Sequence, residues 1–278
     1  MQLMVIQIQV ANSGRLVKNT LAALKACEAG NRQQFDNSFS EVVQTMRDIN
    51  AVMETMWVHS KPEDYNDFRT FIMGTKNQPM FPNGVVYEGV STEPTFFRGE
   101  SGANDSIIPT MDNFSQLTSN MPKNPLTEIL RDFRTYRPSN HNQFVSMVEQ
   151  RAAELSVREF ALASPSTAIL YLQLLDQIRD FRQRHWNFTK NYIIKYSTHP
   201  VATGGSPIVT WLPNQLSVVL NAMMSIKKRV KVSELDPFER TVFEECLERA
   251  DTQSRVLQRD VESFASKLGE KAVKATIN

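Results

Sequence analysis

Ile178-Arg179-Asp180-Phe181-Arg182-Gln183-Arg184-His185-Trp186-Asn187-Phe188-Thr189-Lys190-Asn191-Tyr192 is the stretch whose reading decides the fold. Ile178, Phe181, Phe188 and Tyr192 stand at i−7, i−4, i+3 and i+7 around His185, so the imidazole sits within one apolar stripe of a helix. An imidazole on such a face needs a hydrogen-bond partner or a metal to offset its desolvation. Two readings stand side by side. It is a satisfied core histidine, or it is the axial ligand of a haem iron, a group that also needs an apolar wall. Arg179, Arg182 and Arg184 point to other faces, with Arg182 nearest the histidine's own. They either form salt bridges with acidic neighbours or compensate buried carboxylates such as haem propionates.

Outward from this stretch the chain reads as all-α. The long helix runs from about 165 to 197, and others are expected at 105–119, 125–136, 139–152 and 236–270. Residues 15–58 form two runs broken by Glu28-Ala29-Gly30-Asn31, a helix stop and turn. The second run carries Phe35, Phe39, Val42, Val43, Met46, Ile49, Met53 and Met56 at helical spacing. Proline follows a capping side chain at Asn124-Pro125, Ser164-Pro165 and Asp236-Pro237, the last with Glu239 placed for a capping box. The final helix presents Phe238, Val242, Phe243, Cys246, Leu247 and Ala250 as its apolar face. Ile6 to Val10 alternate with a period of two, but no second strand follows to pair with them, so they are expected as helix. Gly74 to Gly102 and Ser197 to Pro213 are rich in Pro, Gly and polar residues and read as long loops, a kind that is often functional.

Composition narrows the function classes. Lys and Arg total 31 against 30 Asp and Glu, a net charge of +1, which provides no broad footprint for nucleic acid or an anionic membrane. Cys27 and Cys246 are isolated, as suits a reducing cytoplasm. No stretch reaches the apolar length of a membrane span. The chain is expected to be a soluble cytoplasmic protein and a monomer. The histidines, His59, His141, His185 and His199, lack the spacing of a zinc site. Neither a nucleotide-binding glycine pattern nor a Ser-His-Asp arrangement is present. Thr203-Gly204-Gly205-Ser206 lets backbone approach a ligand closely but by itself reads as a plain loop.

The segments taken together carry more. Asn83-Gly84-Val85-Val86-Tyr87-Glu88-Gly89, then Phe97-Arg98-Gly99-Glu100-Ser101-Gly102-Ala103-Asn104-Asp105-Ser106, resemble the central loop of the indoleamine 2,3-dioxygenase family. So does Leu130-Arg131-Asp132-Phe133-Arg134-Thr135-Tyr136-Arg137-Pro138 with His141 close behind. Phe181-Arg182-Gln183-Arg184-His185 resembles the family's proximal-histidine helix, and Ala202-Thr203-Gly204-Gly205-Ser206 its glycine-rich loop. These segments occur in the family's order over about 15–215.

The resemblance implies a helical domain holding one haem b, with His185 on the iron. It implies further that Asp112 and Arg182 support that ligand, that Arg69 reads the substrate carboxylate, and that Ser101 and Gly102 line the distal pocket. Thr203, Gly204, Gly205 and Ser206 would close over the substrate and a propionate. Of Asp64 and Tyr65, ahead of Arg69, only Tyr65 offers a ring to an indole. The implied reaction is opening of the indole ring of L-tryptophan with O₂ to give N-formylkynurenine, the entry to tryptophan catabolism by the kynurenine pathway. The alternatives are a haem protein of the same fold that binds O₂ without cleaving tryptophan, or a truncated, inactive homologue. Family members carry a smaller N-terminal helical domain ahead of this region, and the apolar start of the chain falls at about that junction. Residues 1–278 are therefore expected as the single large catalytic domain.

Overall fold

The computed structural model describes residues 2–99, 105–121, 123–196 and 202–268. Its elements are α1 (Gln2–Glu28), α2 (Arg32–Glu54), α3 (Met56–His59), α4 (Pro62–Arg69), α5 (Ile107–Phe114), α6 (Pro125–Arg134), α7 (Ser139–Glu154), α8 (Val157–Leu162), α9 (Pro165–Thr189), α10 (Ile208–Ile226) and α11 (Pro237–Leu268). Among the described residues there is no strand, only an isolated antiparallel bridge between Val85 and Thr95. No helix is long and apolar enough to cross a membrane. Ile6 to Val10 lie in α1, as helix, while the facing of their side chains lies outside the described residues.

α1 ends where Gly30 takes a left-handed φ of +64°. Gly30 N–H then donates to the Cys27 carbonyl at 3.0 Å and Asn31 N–H to that of Ala26 at 2.9 Å, satisfying carbonyls that the helix end would orphan. Asn31 at once caps α2, its side chain accepting from Gln34 N–H. The stripe of α2 is buried from Phe35 to Met53, with Met56 continuing it in α3. α2 packs between α1 and α9, and α9 in turn packs on α10 and α11. α9 is the central element, and its position fixes the rest.

Several boundaries differ from the sequence reading, each for a physical reason. The helix expected to 197 stops being α-helical at Thr189 and widens into a π-helical turn, Lys190–Ile194. Of the segment expected as helix over 105–119, α5 ends at Phe114 and Gln116 turns left-handed at φ 57°. The loop expected to reach Pro213 ends at Pro207, because α10 carries Pro213 in its interior. The missing N–H there costs one main-chain bond. Burial of nearly every face of α10, from Ile208 through Trp211 and Leu216 to Ile226, offsets it. On α11, Phe243, Cys246, Leu247 and Ala250 are buried as expected, but Phe238 is 73% exposed, since it lies in the first turn before the helix meets its neighbours. The capping box there is formed, with Glu239 N–H donating to Asp236 Oδ1 at 2.8 Å and Asp236 N–H to Glu239 Oε2 at 3.1 Å.

The long loop from 73 to 99 is held by backbone crossing. Gly74 N–H donates to the Thr203 carbonyl at 3.0 Å, and Thr75 and Lys76 N–H both donate to the Phe97 carbonyl at 2.8 and 2.9 Å. Three stretches meet so closely that a Cβ on Gly99 would lie 2.2 Å from Gly74 N and 2.3 Å from Thr203 O. Glycine is required there for space. Gly99→Ala is expected to destabilise the fold by about 1–3 kcal/mol, read as a lower midpoint in urea unfolding; an unchanged midpoint would show that the crossing yields freely.

Candidate functional site

Beneath the crossing lies a partly open, chiefly apolar pocket walled by α9, α10, α5 and α4. Its lining is chiefly apolar: Phe181, Phe188, Ile193, Ile208 and Leu212 are among the walls.

His185 projects into it from α9. The ring lies deep in the protein yet keeps partial surface, because that surface faces the cavity rather than packed side chains. Burial pushes its pKa down from 6.5 to about 4, so at neutral pH the imidazole is uncharged with a nitrogen lone pair available. Among the described residues no cluster of three His, Cys, Asp or Glu could hold a metal. The site thus offers one imidazole on an apolar wall.

Below the histidine, Arg182 and Asp112 form a buried ion pair. Arg182 Nη2 lies 2.8 and 2.9 Å from the two carboxylate oxygens, and Nη1 donates to the Gln215 carbonyl at 2.9 Å. Arg134 approaches the same carboxylate at 3.5 Å. Burial pulls the Arg134 pKa down, with Asp112 opposing. The other two arginines of the stretch take their ordinary roles: Arg179 pairs with Asp176 at 2.7 Å and Arg184 with Glu54 at 2.6 Å.

Tyr65 lines the opposite side of the cavity, edge-on to Tyr192 at 5.9 Å. Arg69, one turn further along α4, is buried behind Tyr65 rather than on the cavity wall. Burial lowers its pKa, while the Tyr65 hydroxyl raises it. The π turn joins this side to α9. Its Tyr192 carbonyl accepts from Asn66 Nδ2 at 2.6 Å, and Tyr192 Oη donates to Ser60 O at 2.5 Å.

Thr203 and Ser206 line the cavity, whereas Gly204 and Gly205 serve the crossing beside it. Arg98 Nη1 donates to the Gly204 carbonyl at 3.0 Å, and a Cβ on Gly205 would lie 2.1 Å from Lys76 O. Ser101, Gly102 and His199 lie outside the described residues. His141 Nδ1 is 3.0 Å from Ser106 Oγ, and neither it nor His59 borders the cavity. Sequence reasoning missed the α10 wall. Trp211 Nε1 and both amide atoms of Gln215 are buried there with no hydrogen-bond partner among the described residues. Unmade buried bonds cost about 1–3 kcal/mol each, so polar atoms of a bound group would be met favourably.

Two outcomes follow from this geometry. Asp112→Ala leaves the Arg182 charge buried, so it is expected to cost about 3–5 kcal/mol in chemical unfolding; a loss below about 1 kcal/mol would mean that water reaches Arg182. For His185, the unfolded chain takes up a proton near pH 6.5 and the folded chain only near pH 4. The ligand-free protein therefore loses stability as pH falls from about 6.5 to 4, by up to about 3 kcal/mol. His185→Phe should remove that part of the slope, and an identical pH profile in the variant would refute the buried neutral imidazole.

The indoleamine 2,3-dioxygenase family model matches residues 3–231. The chain is 30% identical to mouse (Mus musculus) indoleamine 2,3-dioxygenase 2 over 197 residues, covering 67% of this chain and 47% of that protein. It is 30% identical over 188 residues to a 6-hydroxytryptophan 2,3-dioxygenase of Fusarium equiseti, covering 64% and 44%. A myoglobin of Haliotis madaka is 26% identical over 144 residues, covering 51% and 36%. The chain thus spans about half the length or less of these relatives. It belongs to the indoleamine 2,3-dioxygenase family.

Proposed function

We propose that this family member is a haem-dependent dioxygenase domain that opens the indole ring of L-tryptophan with O₂ to give N-formylkynurenine, residues 1–278 forming its single large helical domain. One observation carries the reading: an uncharged imidazole, His185, stands on the wall of an apolar pocket. The residues present fit a haem. His185 would hold the iron, Phe181, Phe188, Ile193 and Leu212 would supply apolar wall, and Trp211 Nε1 with the Gln215 amide would offer unmade hydrogen bonds to polar atoms entering that side. When bound, the haem supplies the redox chemistry that brings O₂ onto the indole.

The protein's own work is placement. Arg182 and Asp112 hold the α9 wall in fixed register with α5 and α10. Tyr65 offers a ring face to the substrate's indole, and Arg69, one turn away, is assigned the substrate carboxylate through a bidentate pair. To meet it the Arg69 guanidinium must move past Tyr65 or the carboxylate must reach between them. Thr203 and Ser206, which line the pocket beneath the crossing, are assigned hydrogen bonds to the substrate and a propionate. Ser101 and Gly102 are assigned to the distal side.

A second reading, a haem protein that carries O₂ without cleaving tryptophan, is favoured by the likeness to a Haliotis myoglobin. Arg69 separates the two, since an oxygen carrier has no carboxylate to hold. With haem added, reduced protein given L-tryptophan and O₂ is expected to show a Soret band and to form N-formylkynurenine. His185→Ala is expected to lose haem retention. Arg69→Ala should keep the Soret band and lose about ten- to a hundredfold in kcat/KM. Undiminished turnover in the arginine variant would overturn its role, and a Soret band without product in the parent chain would favour the oxygen carrier.

A further inference from the structure

α11 lies outside the family match, which ends at residue 231, yet it packs along the back of α9, the helix that carries His185. Its polar contacts there run from Asp176 and Arg179, which meet Arg249 and Gln253, to the turn of the histidine. Trp186 follows His185 directly, and a helix turns by about 100° per residue, so its indole faces away from the cavity and into α11. Trp186 is fully buried and donates from Nε1 to Asp260 Oδ2 at 2.9 Å. Lys190, one turn on, donates from Nζ to the same oxygen at 2.7 Å. The Phe264 ring meets the Trp186 indole edge-on at 5.6 Å, and Lys190 Nζ lies 5.6 Å from the indole centre.

Lys190 is also where α9 changes form. Its carbonyl accepts from Lys195 N–H at 3.2 Å, a five-residue step that opens the π turn. That turn places Ile193 in the cavity wall and ties Tyr192 to α4. A single carboxylate on α11 therefore grips Trp186, next to His185 in the last α-helical turn, and Lys190 at the first π-helical position. The pair is only partly exposed, with Asp260 at 26% and Lys190 at 24%.

We propose that Asp260 is a positioning residue for His185: by binding Trp186 and Lys190 together it sets the rotation of the last α-helical turn of α9, and so the angle at which the imidazole meets a bound metal centre. The inference rests on the haem reading above, but the clasp itself does not require a ligand.

The test uses the full chain with Asp260→Ala, Asp260→Asn, and Asp251→Ala as a control on the exposed face of α11, where Asp251 pairs with Arg255 one turn away. In the haem-free protein, amide hydrogen exchange over residues 185–194 is expected to quicken about tenfold in Asp260→Ala and to stay unchanged across Pro125–Arg134 and in the control. With haem added, the iron–histidine stretching band of the ferrous protein should shift or broaden in Asp260→Ala. Haem transfer to excess apomyoglobin should quicken about tenfold, as for loss of other groups that support a ligand. Asp260→Asn keeps an acceptor for Trp186 but drops the charge opposite Lys190, so it should fall between, and it stands in if the alanine variant does not fold. Unchanged exchange over 185–194 would overturn the clasp. Faster exchange with a parent-like iron–histidine band and haem release would leave a merely structural contact and overturn the positioning role. A parent chain without a Soret band would refute the haem reading, while the exchange measurement would still decide whether Asp260 fixes the turn.

Discussion

Arg182 and Asp112 form an ion pair with almost no access to water, and four elements are ordered by it. The carboxylate comes from α5 and the guanidinium from α9; the spare Nη1 of Arg182 takes the Gln215 carbonyl of α10, and Arg134 of α6 approaches the carboxylate from the other side. Desolvating two charges is costly, and a well-packed apolar pair in their place is often as stable or more so. What an apolar pair lacks is direction. The fork of the guanidinium fixes both the rotation of α9 and its register against α5 and α10, and His185 lies one turn along the same helix. A site that must present an imidazole at a set angle gains from a constraint of that kind.

The elements that were legible are those in which one physical signal dominates. The α2 stripe has apolar residues at helical spacing on one face only, and all of it is buried. The capping box at Asp236 and Glu239 is a local pattern with a local cause. α10 was not legible, because a helix apolar on nearly all sides has no periodic contrast to read and Pro213 mimics a stop. Nor was the π turn at Lys190, whose widened hydrogen bonding answers to tertiary partners such as Asn66 rather than to its own sequence.

The site divides along similar lines. His185 stood out by the apolar stripe around it, but that stripe also fits a core histidine; the pocket in front of the ring is what supports the proposed ligand role. Arg182 and Asp112 were each singled out by family resemblance as neighbours of the cofactor, but their ion pair was not foreseen, since nothing in the spacing joins residues 70 apart. Arg69 was singled out in the same way, and its place behind Tyr65 could be known only from the packing of α4. Trp211 and Gln215 gave no signal, being ordinary core and helix residues until their polar atoms are found without partners beside a void.

The last turn of α9 is held from three directions by groups of different kinds. The Arg182 pair anchors it from below, Asn66 and Ser60 meet the π turn from the α3–α4 side, and Asp260 closes from α11. The cavity side alone is left without packing contacts, and there the imidazole loses the support a filled core would provide. A helix that borders a void must draw its rigidity from its other faces. The density of directed hydrogen bonds around residues 182–192, rather than apolar packing alone, is what an open cavity beside a single imidazole demands.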